Sequence, residues 1–190
     1  METIRLVIVV ASYRNWKIYQ MNVKSTFLNG ILEEEVYVTQ PPGFEVKDAN
    51  HKVFKLRKVL YGLKQAPKVL NKLINSFLLK LGFTKCSVDY GVYVKESQSL
   101  SLIYVCLFVD DLLITGSSMA EIGDFKNRLK AAFEMTDLGM LSYFLGMEFV
   151  YAGQGVILHQ RTYINEMLNR FNMDWYNGAR VPVAGNLKLT

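Results

Sequence analysis

Hydrophobic positions along the chain switch between a period of two and a period near 3.6. Residues 3–13 are largely apolar, a run that suits a buried helix or strand. The alternation that follows over 16–23 favours a helix passing into a strand. In Ile18-Tyr19-Gln20-Met21-Asn22-Val23 this period sets Gln20 and Asn22 on one face and Tyr19, Met21 and Val23 on the other. Asn29-Gly30 signals a turn, 36–39 reads as a strand that Pro41-Pro42-Gly43 ends, and 53–56 as another short strand. After Pro67, Val69, Leu70, Leu73, Ile74, Phe77, Leu78 and Leu81 recur at helical spacing, with Gly82 where a helix C-terminal glycine belongs. Leu73, Ile74, Phe77 and Leu78 are expected to be its buried stripe.

Strands are predicted over 91–95, 102–108 and 112–115, most simply as three antiparallel neighbours. Ser118 with Glu121 three residues later has the form of a capping box, and Ile122, Phe125, Leu129, Ala132 and Phe133 continue it as an apolar stripe. Stretches 143–150 and 156–160 flank Gly153-Gln154-Gly155 as a hairpin, and a last helix runs over 163–170 with Tyr163, Met167 and Phe171 along one side. Strands and helices do not alternate strictly, which predicts an α+β fold: an antiparallel sheet with helices packed on one face.

With 51% hydrophobic residues in 190, the chain has material for a packed core, so disorder is not expected. A net charge of +5 suits a phosphate-rich partner, but the excess is spread along the chain and does not assign one. Cys86 and Cys106 lack CxxC or Cys/His spacing, which argues against a zinc site or a disulfide framework. The apolar run 6–11 is too short for a membrane span, and the run 102–114 carries two aspartates in its middle. No membrane segment is predicted.

Those aspartates are the candidate chemistry. Leu107-Phe108-Val109-Asp110-Asp111-Leu112-Leu113-Ile114 buries two acids in an apolar run, where charge costs several kcal/mol unless paired, solvated or metal-bound. One reading is a hairpin tip that happens to be acidic; the other is a metal or catalytic site. A two-metal transfer site needs hard oxygen ligands from more than one strand, and the polar face of 18–23 offers Gln20 and Asn22 instead of an acid.

A set of ordered blocks then narrows the choice. They are Gln20-Met21-Asn22-Val23-Lys24-Ser25-Thr26-Phe27-Leu28-Asn29-Gly30, Glu33-Glu34-Glu35-Val36-Tyr37-Val38, Gln40-Pro41-Pro42-Gly43-Phe44, and Leu60-Tyr61-Gly62-Leu63-Lys64-Gln65-Ala66-Pro67. Phe108-Val109-Asp110-Asp111, Asp137-Leu138-Gly139 and Phe144-Leu145-Gly146-Met147-Glu148 follow. In sequence and spacing they resemble the reverse transcriptase of Ty1/copia-type retrotransposons, an RNA-directed DNA polymerase carried in a Pol polyprotein.

The resemblance implies a polymerase palm-like sheet over residues 1–185, as a single domain. It implies that Asp110 and Asp111 are catalytic and hold Mg2+, with position 22 the acid of the neighbouring strand that bridges both ions and the triphosphate; this chain has Asn22 there. It implies nucleotide-binding roles for Phe27, which screens the ribose 2′-hydroxyl, and for Tyr61, Gly62 and Gln65, and a primer grip at Phe144, Leu145 and Gly146. His51 and His159 match no catalytic role. The implied partners are an RNA/DNA template-primer, a dNTP and other Pol segments, in an intracellular setting: cytoplasmic virus-like particle or nucleus.

Three departures stand out. Asn22 replaces the acid, and Lys68 and Leu70 replace the family's usual arginine and aromatic. The chain is expected to be a truncated copy without fingers and most of the thumb, catalytically impaired by Asn22. The alternative is a non-catalytic nucleic-acid-binding or functionless palm fragment. In either case Asn22 and Asp110 should lie on neighbouring strands.

Overall fold

A computed structural model describes residues 2–24, 31–47, 49, 51–60, 62–63, 66–97, 100–153 and 155–178. They fall into two compact units, Met1–Leu141 with Gly153–Gly155, and Ser142–Ala152 with Val156–Thr190. The fold is α+β, and its strand pairs are antiparallel.

The first unit runs α1 (Glu2–Tyr13), β1 (Ile18–Val23), β2 (Ile31–Val38), β3 (Phe54–Lys58), α2 (Ala66–Lys80), β4 (Thr84–Lys85), β5 (Val92–Glu96), β6 (Leu102–Phe108), β7 (Asp111–Gly116), α3 (Met119–Ala132) and β8 (Met135–Met140). Six strands form one sheet in the order β4-β5-β6-β7-β1-β8, and β2 pairs with β3 in a separate ribbon. The three predicted antiparallel neighbours are β5, β6 and β7. The first strand, far from them in sequence, inserts beside β7.

Alternation decides the faces. Met21 and Val23 of β1, Ile103, Val105 and Leu107 of β6, and Leu112 and Ile114 of β7 turn into one buried cluster with Leu70, Ile74 and Leu78 of α2 and Ile122, Phe125 and Leu129 of α3. The stripe on α2 is therefore rotated from the expected one: Leu73 is 40% exposed and Leu70 takes its place. Phe77 is half-buried and meets Phe133 edge-on at 5.1 Å. The helix ends as its glycine requires. Gly82 has φ +83°, its N–H donates to Leu79 O at 3.0 Å, and the Phe83 N–H reaches back to Leu78 O at 3.0 Å.

Ser118 caps α3 by accepting from the Glu121 N–H at 3.4 Å, while the Glu121 carboxylate accepts from Ser97 and Ser101 and ties the helix start to the sheet edge. Ala132, expected in the stripe, is exposed.

Helix α1 lies on the other side of the sheet, so only α2 and α3 follow the expectation of helices on one face. Its stripe Ile4, Val7, Ile8 and Ala11 is buried. Thr3 bonds Asp89, the Trp16 ring lies 6.1 Å from that of Tyr104 on β6, and Thr115 donates to the Lys17 carbonyl at 2.9 Å. The physical reason is that Ile18, Val92, Cys106 and Leu113 project to that face and need cover as well.

The second unit holds β9 (Tyr143–Phe144), β10 (Met147–Ala152), β11 (Gly155–His159) and α4 (Arg161–Arg170). The strand expected over 143–150 is broken: Leu145 and Gly146 have φ +50° and +79°, the paired positive values of a two-residue hairpin turn, and Phe144 pairs with Met147 across it. At the start of α4 the Glu148 carboxylate accepts from the Thr162 N–H at 2.8 Å. That backbone bond, the Thr162 hydroxyl and the nearby His159 and Arg161 hold Glu148 below the usual carboxylate range despite some desolvation. None of the described residues of α4 is buried; Tyr163, Met167 and Phe171 are exposed.

Candidate active site around the acidic hairpin

The acidic pair occupies the tightest turn of the central sheet. Phe108 and Asp111 are the last paired residues of β6 and β7, so Val109 and Asp110 form a two-residue connection. Such a connection demands positive φ at its first residue, normally supplied by glycine. Here Val109 adopts φ +56°, a β-branched side chain in a region such residues avoid at a cost of about 1–3 kcal/mol. Asp110 is therefore the second residue of the tip, and Asp111 is the first residue of a strand whose next five residues are buried.

The neighbouring strand is β1, as expected from the sequence. Asn22 and Asp111 are directly opposed Cα partners, and the Val23 N–H donates to the Asp110 carbonyl at 2.8 Å. The side chain of Asn22 meets Asp111: its Nδ2 lies 3.2 Å from Asp111 Oδ1. Gln20, two residues back on the same face, places Nε2 3.1 Å from the same oxygen. An ionised carboxylate only accepts hydrogen bonds, so both amides turn their NH2 groups toward it. Hydrogen bonds to a charged partner contribute about 1.5–3 kcal/mol each, partly screened at this half-buried position.

On the far side of β1, Asp137 of β8 stands opposite Met21. Its burial raises the carboxyl, but Lys126 at 2.6 Å, the Gly139 N–H at 3.0 Å and Lys130 at 3.4 Å outweigh this and hold it below the usual range. Lys126 also lies 4.6 Å from the Tyr19 ring centroid. These contacts fasten β8 and α3 to the strand that carries Asn22. Helical and strand periodicity gave no sign of β8, because Met135-Thr-Asp-Leu-Gly-Met has neither period and a bulge at Gln20/Met21 interrupts its pairing.

Of the other expected site residues, Gly62 sits exposed at φ +91° in a turn where the Leu63 N–H donates to Leu60 O at 3.3 Å. Phe27, Tyr61 and Gln65 lie outside the described residues. Phe144, Leu145 and Gly146 form the hairpin turn of the second unit. Cys106, buried under α1, has its thiol pushed up to about 12 by desolvation and by Asp89, and is chemically quiet.

The donor set does not fit a pair of divalent ions. Among the described residues no group of three or more His, Cys, Asp or Glu side chains is arranged to hold a metal. At position 22, to which the resemblance assigns a bridging oxygen ligand, an amide N–H faces Asp111. Asp110 and Asp111 remain as the only acids of the hairpin.

The family model for reverse transcriptase (RNA-dependent DNA polymerase) matches residues 1–185. The chain is 40% identical over 192 residues to the retrovirus-related Pol polyprotein from transposon TNT 1-94 of Nicotiana tabacum, spanning 100% of this chain and 14% of that protein. It is 39% identical over 188 residues to the Pol polyprotein from transposon RE1 of Arabidopsis thaliana, spanning 99% of this chain and 13% of that protein. A transposon Ty5-1 protein of Saccharomyces cerevisiae is 33% identical over 170 residues, which covers 89% of this chain and 55% of that protein. No solved structure matches. An acidic β-hairpin set beside the strand of Asn22, the ordered blocks and these matches agree: the chain belongs to the copia-type reverse transcriptase (RNA-dependent DNA polymerase) family.

Proposed function

We propose that residues 1–185 are the palm region of an RNA-directed DNA polymerase by descent, and that this chain is catalytically impaired because Asn22 stands at the acid position of its site. The observation that carries the reading is the Asn22 amide donating to Asp111 across β1 and β7. A neutral amide supplies one acceptor and no charge, and here its NH2 is the group turned to the carboxylate. In this reading Asp110 and Asp111 are the surviving acids. Mg2+, the ion that the resemblance assigns to them, lacks its second-strand ligand. The family's substrates, a template-primer and a dNTP, would be held by the nucleotide-binding positions Phe27, Tyr61, Gly62 and Gln65 and by the Phe144-Leu145-Gly146 turn. Other Pol segments as partners, and an intracellular site of action, belong to the same proposal.

Primer extension on a homopolymer RNA template with Mg2+ tests it. The purified chain is expected to add no detectable nucleotide while binding an RNA–DNA hybrid in a salt-dependent way. Robust extension by the unaltered chain would contradict the impairment. Absence of hybrid binding would favour a fragment without function.

A further inference from the structure

We infer that Gln20 is a positioning residue for Asp111, and that Gln20 and Asn22 together form a two-amide clamp that fixes this carboxylate without a cation. The inference rests on the reading of Asp111 as a site acid. Both amides converge on one oxygen, Asp111 Oδ1, at 3.1 and 3.2 Å. Their lengths fit the register. Asn22 is directly opposite Asp111 and needs only a short side chain, whereas Gln20 pairs with Leu113 and must cross a diagonal of about 7–8 Å between backbones, which the extra methylene spans.

Among the described residues no lysine or arginine pairs with Asp110 or Asp111, so the amides provide the donors that a cation would otherwise provide. The neighbouring Asp110 carboxylate has no such clamp among the described residues. Among the described residues, one acid of the hairpin is thus clamped by two amides and the other is not.

Thermal melting of the full chain in chelator, with side-chain amide NMR, tests the clamp. Gln20→Leu keeps the volume and removes the donor; it is expected to lower Tm by about 2–4 °C, and to lose that effect in the Asp111→Leu background. Gln20→Asn, one methylene short, should behave as Gln20→Leu. Gln20→Lys, a donor of similar reach, should restore the melting point. The Gln20 amide protons should move upfield on Asp111→Leu, the direction expected when a hydrogen bond to a carboxylate is lost.

Additive melting effects, or no rescue by Gln20→Lys, overturn the clamp. An Asn22→Asp variant separates this from the wider reading: the new carboxylate faces Asp111 directly, so it should melt lower in chelator and recover with Mg2+. If that recovery is absent while the Gln20–Asp111 coupling persists, the clamp stands and the reading of position 22 as a lost acid falls. If the recovery occurs without the coupling, the clamp falls alone.

Discussion

At the scale of single residues, the acidic hairpin is held together by features that oppose local preference. Val109 at φ +56° is strained, Asn22 donates where an acid is expected, and Gln20 spans a strand diagonal to reach Asp111. A strained residue survives where the surrounding sheet over-determines it, and here the flanking pairs Phe108–Asp111 and Asn22–Asp111 do so. Glycine at the tip would remove the strain at the cost of extra chain entropy in the unfolded state. Val109→Gly should therefore raise stability by about 1 kcal/mol in denaturant unfolding. A loss of stability would show that the Val109 side chain, 49% exposed, is held by contacts rather than strained.

The acids themselves were legible, since two carboxylates in an apolar run require a reason. Their placement was legible in part. Alternation put Gln20 and Asn22 on one polar face, but that both amides meet one oxygen depends on the register of β1 against β7, which no local pattern states.

At the scale of elements, helix α2 shows where periodicity ends and packing decides. Its apolar positions spread over about half of the helix circumference, so spacing alone admits more than one buried stripe. The sheet selects Leu70, Ile74 and Leu78 and leaves Leu73 40% exposed. Ile74→Ala is accordingly expected to cost about 2–5 kcal/mol and Leu73→Ala well under 1 kcal/mol, compared by chemical denaturation. Similar losses at both positions would mean that the helix is rotated from the arrangement described. Strands β5, β6 and β7 were readable because each carries a short apolar run, over 92–94, 102–108 and 112–114, bounded by polar or turn residues. Strand β8 was not, because Asp137 and Gly139 are poor strand formers; it is retained by Lys126, Lys130 and its pairing with β1. The break at Leu145-Gly146 went unread within the stretch 143–150, because its paired positive φ values belong to the backbone alone.

At the scale of the whole molecule, family membership was legible because motif blocks in order carry more information than any element. The sheet order then explains why those blocks recur where they do: residues 20–23 and 108–111 are distant in the chain and adjacent in the sheet. What the order of blocks does not say is how an amide at position 22 changes the site. In the proposed reading Asn22 replaces a metal-binding oxygen with a donor to Asp111. Isothermal titration of Mg2+ into the chain and into its Asn22→Asp variant measures this most directly. The variant should bind more tightly, by more than the roughly tenfold that loss of an outer-shell partner costs a metal site. Equal affinities would show that position 22 does not face a bound ion, and would contradict the account.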